Sequence, residues 1–140
     1  LNQIGFVMSD IRFQQKWYRS GIELFSDVFH GKWKLVILWY LYKKGARFSE
    51  LRKNIPSITD RMLSLQLKEL EEMGFVKRIV TEGNPPKVSY ELQAIAESIY
   101  PALEALDHFG YDYAKFEAPI LKEKPLVKQP EDETSFFDEL

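Results

Sequence analysis

The chain has 140 residues, 45% hydrophobic and 14% aromatic, with a formal charge of −2 and no cysteine. Such a length and apolar content suit one folded domain with tails, and the missing thiols exclude a disulfide frame, a thiolate metal site and thiol redox chemistry within these residues. No apolar run approaches the roughly 18 residues of a membrane span and the first residues lack the order of a signal peptide, so a cytoplasmic protein without a membrane partner is expected.

From Asp10 to Phe29 the residues Ile11, Phe13, Trp17, Ile22, Phe25 and Val28 recur at mostly helical spacing, which predicts one or two helices with Gly21 as a break. Gly31-Lys32-Trp33 opens a second helix with Trp33, Val36, Ile37, Tyr40 and Leu41 on one face, ended by a basic last turn and a glycine cap at Gly45. Ser49 then caps a short helix from Glu50 to Asn54, and Pro56 stops it. Thr59 caps the next helix, Asp60 to about Met73, whose stripe is Leu63, Leu67, Leu70 and Met73 and whose end is Gly74. Two helices joined by so short a turn cross at a large angle, which is the helix-turn-helix arrangement.

Past Gly74 the apolar period drops from about 3.6 to about 2. Val76, Arg78 and Val80 alternate with Lys77, Ile79 and Thr81, and after a polar tip with Pro85 and Pro86 the pattern resumes at Val88, Tyr90 and Leu92. A two-stranded hairpin is predicted. A last helix from about Ala94 to Phe109 carries the stripe Ile95, Ile99, Ala102, Leu106 and Phe109, with a kink expected at Pro101. Residues 117–140 are rich in proline and acid and read as a flexible tail, with Phe136 and Phe137 as its only docking hint.

The predicted fold is mainly α with a small β-hairpin, a winged helix-turn-helix. Its parts are an N-terminal helical segment over 1–30, the winged motif over 31–92, a C-terminal helix over 93–116 and the tail over 117–140. Residues 31–92 hold twelve Lys or Arg against seven Asp or Glu, while the remainder holds seven against fourteen. A basic middle between acidic flanks suits a surface for double-stranded DNA.

The second helix of such a motif fits the major groove and the hairpin lies along the adjoining backbone. With Leu63, Leu67 and Leu70 inward, the residues turned outward are Thr59, Asp60, Arg61, Ser64, Leu65 and Lys68. Arg61 suits guanine acceptors or a phosphate, Ser64 a base or a phosphate, Lys68 a phosphate, and Leu65 a thymine methyl. Taken singly, Arg61 and Lys68 read equally as an ordinary solvated helix face; their place at the N-terminal end of the motif's second helix favours DNA contact, for Arg61 above the others. Lys77 and Lys87 are expected to flank the hairpin tip and grip phosphate; Arg78 is expected either to do so or to tie the strand to a helix end. Lys32, at a helix start, is a candidate for a backbone contact beside a buried Trp33.

Two histidines far apart and no catalytic or phosphate-loop motif argue against an enzyme and against any cofactor. Glu69, Glu71 and Glu72 scatter round a helix and read as a solvated acidic face, with no metal site. Trp17, Tyr18, Trp33 and Trp39 read as core and dimer packing, with a pocket for an unidentified small-molecule effector as the alternative.

The segments Gly31-Lys32-Trp33, Arg47-Phe48-Ser49-Glu50-Leu51, Ile58 through Gly74, Val76-Lys77-Arg78 and Pro85 through Leu92 together resemble the HxlR family of winged-helix transcription regulators, relatives of the MarR type. The resemblance implies a homodimeric, sequence-specific DNA-binding regulator on a pseudo-palindromic operator. Its terminal helices would form the dimer, here the segment before Phe29 and the stripe Ile95, Ile99, Ala102, Leu106 and Phe109. Many family members carry a cysteine where Ser20 stands here, and a polar residue where Leu65 stands. The first departure excludes a thiol switch; Leu65 on the reading face, the modest basic excess and the acidic flanks leave a second reading, a winged-helix module for protein contacts such as an adaptor or antirepressor.

Overall fold

The computed structural model describes residues 10–116; the expected tail over 117–140 lies outside them. The N-terminal stretch departs from the helical expectation. Ile11–Phe13 (β1) and Lys16–Tyr18 (β2) form an antiparallel hairpin, with Arg12 opposite Trp17. Its two-residue turn has Gln14 at φ 54, the positive φ that tight hairpins require. Over eight residues with Ile11, Phe13, Trp17 and Tyr18 as their apolar members, spacing alone does not separate helix from strand.

Gly21 is the first residue of a helix, α1 (Gly21–Val28), and not a break. The Ser20 hydroxyl accepts the Glu23 N–H at 3.2 Å, and the Glu23 carboxylate accepts the Arg19 N–H at 2.7 Å, which satisfies donors left open at the helix start.

The central helix α2 (Trp33–Lys43) buries Ile37, Leu38 and Leu41. It ends at Lys44 with φ −154, and among the described residues the left-handed glycines are Gly31 and Gly74. Gly45 therefore does not cap the helix. The chain leaves it extended, because Ala46–Arg47 (β3) pairs at once with a later strand.

Helix α3 (Phe48–Asn54) is capped at Arg47, two residues before Ser49; the Glu50 carboxylate accepts the Arg47 N–H at 3.0 Å. Ser49 thus lies inside the first turn. Pro56 ends the helix as expected, and the Ile58 N–H closes the connecting turn onto the Ile55 carbonyl at 3.2 Å.

Helix α4 (Asp60–Glu72) starts where the Thr59 hydroxyl accepts the Met62 N–H at 3.1 Å. Its stop is a full Schellman motif: Phe75 N–H to the Leu70 carbonyl and Gly74 N–H to the Glu71 carbonyl, both at 3.0 Å, with Gly74 at φ 78.

The wing pairs Val76–Thr81 (β4) with Lys87–Leu92 (β5), Val76 opposite Leu92, Arg78 opposite Tyr90 and Val80 opposite Val88. The sheet has three strands in the order β3-β5-β4, and not two, since β3 adds Ala46 beside Tyr90. A two-residue strand is too short to show alternation in sequence.

The last helix is two: α5 (Ala94–Glu97) and α6 (Tyr100–Lys115), with Pro101 in the first turn of α6. In that turn the N–H that proline lacks would have no helical acceptor, so Pro101 starts a helix instead of kinking one. The core joins these parts through Phe29, Ile37, Leu38, Leu51, Ile58, Leu63, Leu67, Val76 and Ala96. No helix among the described residues is long and apolar enough to cross a membrane.

Candidate nucleic-acid interface

Helix α4 divides as its sequence predicts. Leu63, Leu67 and Leu70 are buried, while Thr59, Asp60, Arg61, Ser64, Leu65 and Lys68 are all exposed. Leu65, an aliphatic side chain 47% exposed, stands among polar neighbours on that face. Lys68 lies 4.0 Å from Glu72 one turn on, a weak exposed pair that leaves its ammonium accessible.

Thr59 and Asp60 have partners that fix the N-terminal end of α4. The Thr59 hydroxyl serves as the helix cap. The Asp60 carboxylate is held by Arg52 of α3, whose guanidinium also donates to the Ile58 carbonyl. Asp60 therefore anchors the turn between α3 and α4, a role that a helical wheel does not reveal. Nothing in the sequence neighbourhood of Arg52 marks that role.

The larger omission is Lys34. It lies on the buried side of α2, only 4% exposed, and its ammonium donates to Gln66 Oε1 at 2.9 Å and Glu69 Oε2 at 2.5 Å. Glu69 is accordingly no part of a solvated acidic face; it closes an ion pair between α2 and α4. The available signal was a lysine inside a nearly continuous apolar helix, which demands a partner.

On the wing, Lys87 lies opposite Thr81 next to the tip, whereas Lys77 lies opposite Glu91 at the base. The expectation that both flank the tip holds for Lys87 only. The register sets Lys77 four residues further down, on the order of 14 Å away. Arg78 is exposed, on the same strand face as the buried Val76 and Tyr90. It is thus not a partly buried tether to a helix end.

Lys32 is exposed at the start of α2, with its amine 4.4 Å from the Trp33 ring centroid. Trp39 stacks on Tyr100 at 6.0 Å, and Trp17 lies under Arg12 at 5.8 Å. The aromatics grouped as a pocket therefore go to separate places. Only Tyr18 of the four lines the main groove, a space of about 920 Å³ between the N-terminal hairpin, α1 and the C-terminal end of α4.

The hairpin is tied to α1 through Asp27, whose carboxylate accepts from Lys16 Nζ and, at 3.0 Å, from the Tyr18 hydroxyl. Those bonds, Lys16 first, hold the Asp27 carboxyl below its ordinary pKa. Burial and then the same carboxylate push the Tyr18 phenol up.

Of the stripe expected at the C-terminus, Ile95, Ala102, Leu106 and Phe109 are exposed and Ile99 is half-buried. Tyr113 and Phe116 extend it, with Phe109 and Tyr113 stacked at 5.7 Å. Leu103, outside the stripe, is what α6 buries.

A capped helix presenting a polar face over a short turn, followed by a sheet-edge wing, defines the winged helix-turn-helix DNA-binding regulators of transcription. Residues 28–118 match the family described as HxlR-like helix-turn-helix, and the chain belongs to that family. It is 40% identical over 102 residues to the uncharacterized HTH-type transcriptional regulator YkvN of Bacillus subtilis (strain 168), covering 73% of this chain and 86% of that one. It is also 40% identical over 96 residues to an HTH-type transcriptional regulator of Methanothermobacter thermautotrophicus, covering 69% and 73%. Among solved structures, the redox regulator HypR in its reduced form is similar with TM-score 0.65 at 36% identity, over 75% of this chain and all of that one.

Proposed function

We propose that the protein binds a pseudo-palindromic operator as a homodimer, with α4 in the major groove and the wing along the flanking backbone. The observation that carries the reading is the division of α4, a fully buried leucine stripe opposite an exposed face with Arg61, Ser64 and Lys68. Arg61 and Ser64 contact base edges or phosphate, Leu65 meets a thymine methyl, and Lys68, Lys77, Lys87, Arg78 and Lys32 neutralise phosphates. Thr59 and Asp60 act through the cap and the turn, placing the N-terminal end of α4 at the bases.

The homodimer is supported by the apolar stripe Ile95, Leu106 and Phe109, exposed to an extent uncommon on a single-chain surface. On a two-fold axis the two α4 helices then face half-sites about one helical turn apart. A cytoplasmic location follows from the role. Leu65 favours a second reading, in which the same face meets a protein; DNA binding separates the two.

The test is binding of the purified chain to its own upstream DNA at two salt concentrations, with Arg61→Ala alongside. Steeply salt-dependent binding that Arg61→Ala weakens by about 1–3 kcal/mol is expected. Binding to a protein partner with no DNA affinity would select the second reading.

A further inference from the structure

Lys34 joins the core of α2 to the flank of α4, through acceptors at Gln66 and Glu69, one turn apart. A buried ion pair adds little to stability over apolar residues of similar size, so stability does not account for it. Directionality does. The leucine stripe of α4 grips by contact that has no preferred direction and tolerates roll or slide. Two hydrogen bonds converging on one nitrogen, itself fixed on a buried helix, remove both freedoms.

We propose that Lys34 is a positioning residue for DNA reading: it sets the roll of α4 and so the angle at which Arg61, Ser64 and Lys68 meet the bases. A roll of about 20° would move a side-chain tip about 6 Å from the helix axis by about 2 Å, enough to break a base contact. Phosphate contacts tolerate such a shift better, so discrimination between sequences depends on Lys34 more than overall affinity does. Lys34, Glu69 and Met73 also line the groove beside α1.

The proposal rests on the DNA-binding reading, and its test separates the two. In the full chain, the pair is replaced by Lys34→Met with Glu69→Leu, and Glu69→Ala serves as a milder variant at a partly exposed site. Three quantities are measured: thermal melting, the ratio of operator to unrelated-duplex affinity at one salt concentration, and residual dipolar couplings of α4 amides relative to α2 without DNA. For folded variants the ratio should fall about tenfold, the worth of roughly one base pair, and the couplings should leave the wild-type orientation. In a protein that prefers its operator, either an unchanged ratio or unchanged couplings overturns the proposal. Wild-type protein with no sequence preference overturns the regulator reading instead, and the couplings alone then decide whether Lys34 fixes α4.

Discussion

Phe109→Ala should dissociate the proposed dimer. Phe109 is 64% exposed, and a phenylalanine side chain buries roughly 200 Å² when fully covered, so about 130 Å² is open to a partner. At about 25 cal/mol per Å² that is about 3 kcal/mol, or about 2.5 after allowing for the methyl that alanine keeps. Two-fold symmetry counts the loss twice, giving about 5 kcal/mol, and half of that if the ring is half covered. The dimer dissociation constant should then rise between about a hundredfold and several thousandfold. Sedimentation equilibrium of the full chain reads the constant directly, with circular dichroism confirming that helix content is kept. Tyr111→Ala is the control, since Tyr111 is 67% exposed but lies on the far side of α6, about 180° from the stripe at about 100° per residue. A change of less than about threefold for Phe109→Ala, or equal changes for both variants, would refute the assignment of the stripe.

The wing should reveal itself in salt dependence: Lys87→Ala should lower the slope of log affinity against log salt by about 1, and Lys77→Ala by less, because Glu91 already faces Lys77. Thr59→Ala removes the acceptor for the Met62 N–H and should cost about 1 kcal/mol in urea melts. Asp27 is ionised and bonded in the fold with a depressed pKa, so its contribution is present above the ordinary value of 3.8 and is lost as pH falls through the folded one. Protection of the hairpin amides 11–18 against hydrogen exchange, taken relative to the intrinsic rate at each pH, should therefore fall on acidification below about pH 4 in the wild type. Asp27→Asn should leave that protection low at every pH, and an acid-independent protection in the wild type would remove Asp27 as the anchor.

The parts of the fold legible in sequence are those where several local signals coincide. For α4 the Thr59 cap, the leucine stripe and the Gly74 stop agree, and the wing strands are six residues each. The N-terminal hairpin has three-residue strands, too short for the two periods to diverge, and β3 is shorter still. At the site, the outward face of α4 follows from the wheel, but what each side chain touches depends on residues distant in sequence. Asp60 meets Arg52 eight residues back, and Lys34 meets Glu69 thirty-five residues on. Lysine in an apolar helix announces that a partner exists without saying where.

Among the described residues, helix α6 finds little to pack against. It has sixteen residues, and Leu103 is the one it buries, so from Glu104 onward it has almost no packing to hold it. Isolated helices below roughly 12–15 residues are marginal in water, and Leu106, Phe109, Tyr113 and Phe116 add a continuous apolar cost on one side. The groove beside α1 has the complementary character, with Phe13, Phe25, Phe75 and Ile95 in its walls. If each copy seats its α6 in the other's groove, both surfaces are covered by one isologous contact. The same contact then rests against Glu69 and Met73 at the end of α4. Half-site spacing and the roll of the reading helix would be set by one interface, so variants that loosen the dimer should also blur sequence discrimination at protein concentrations where it is still intact.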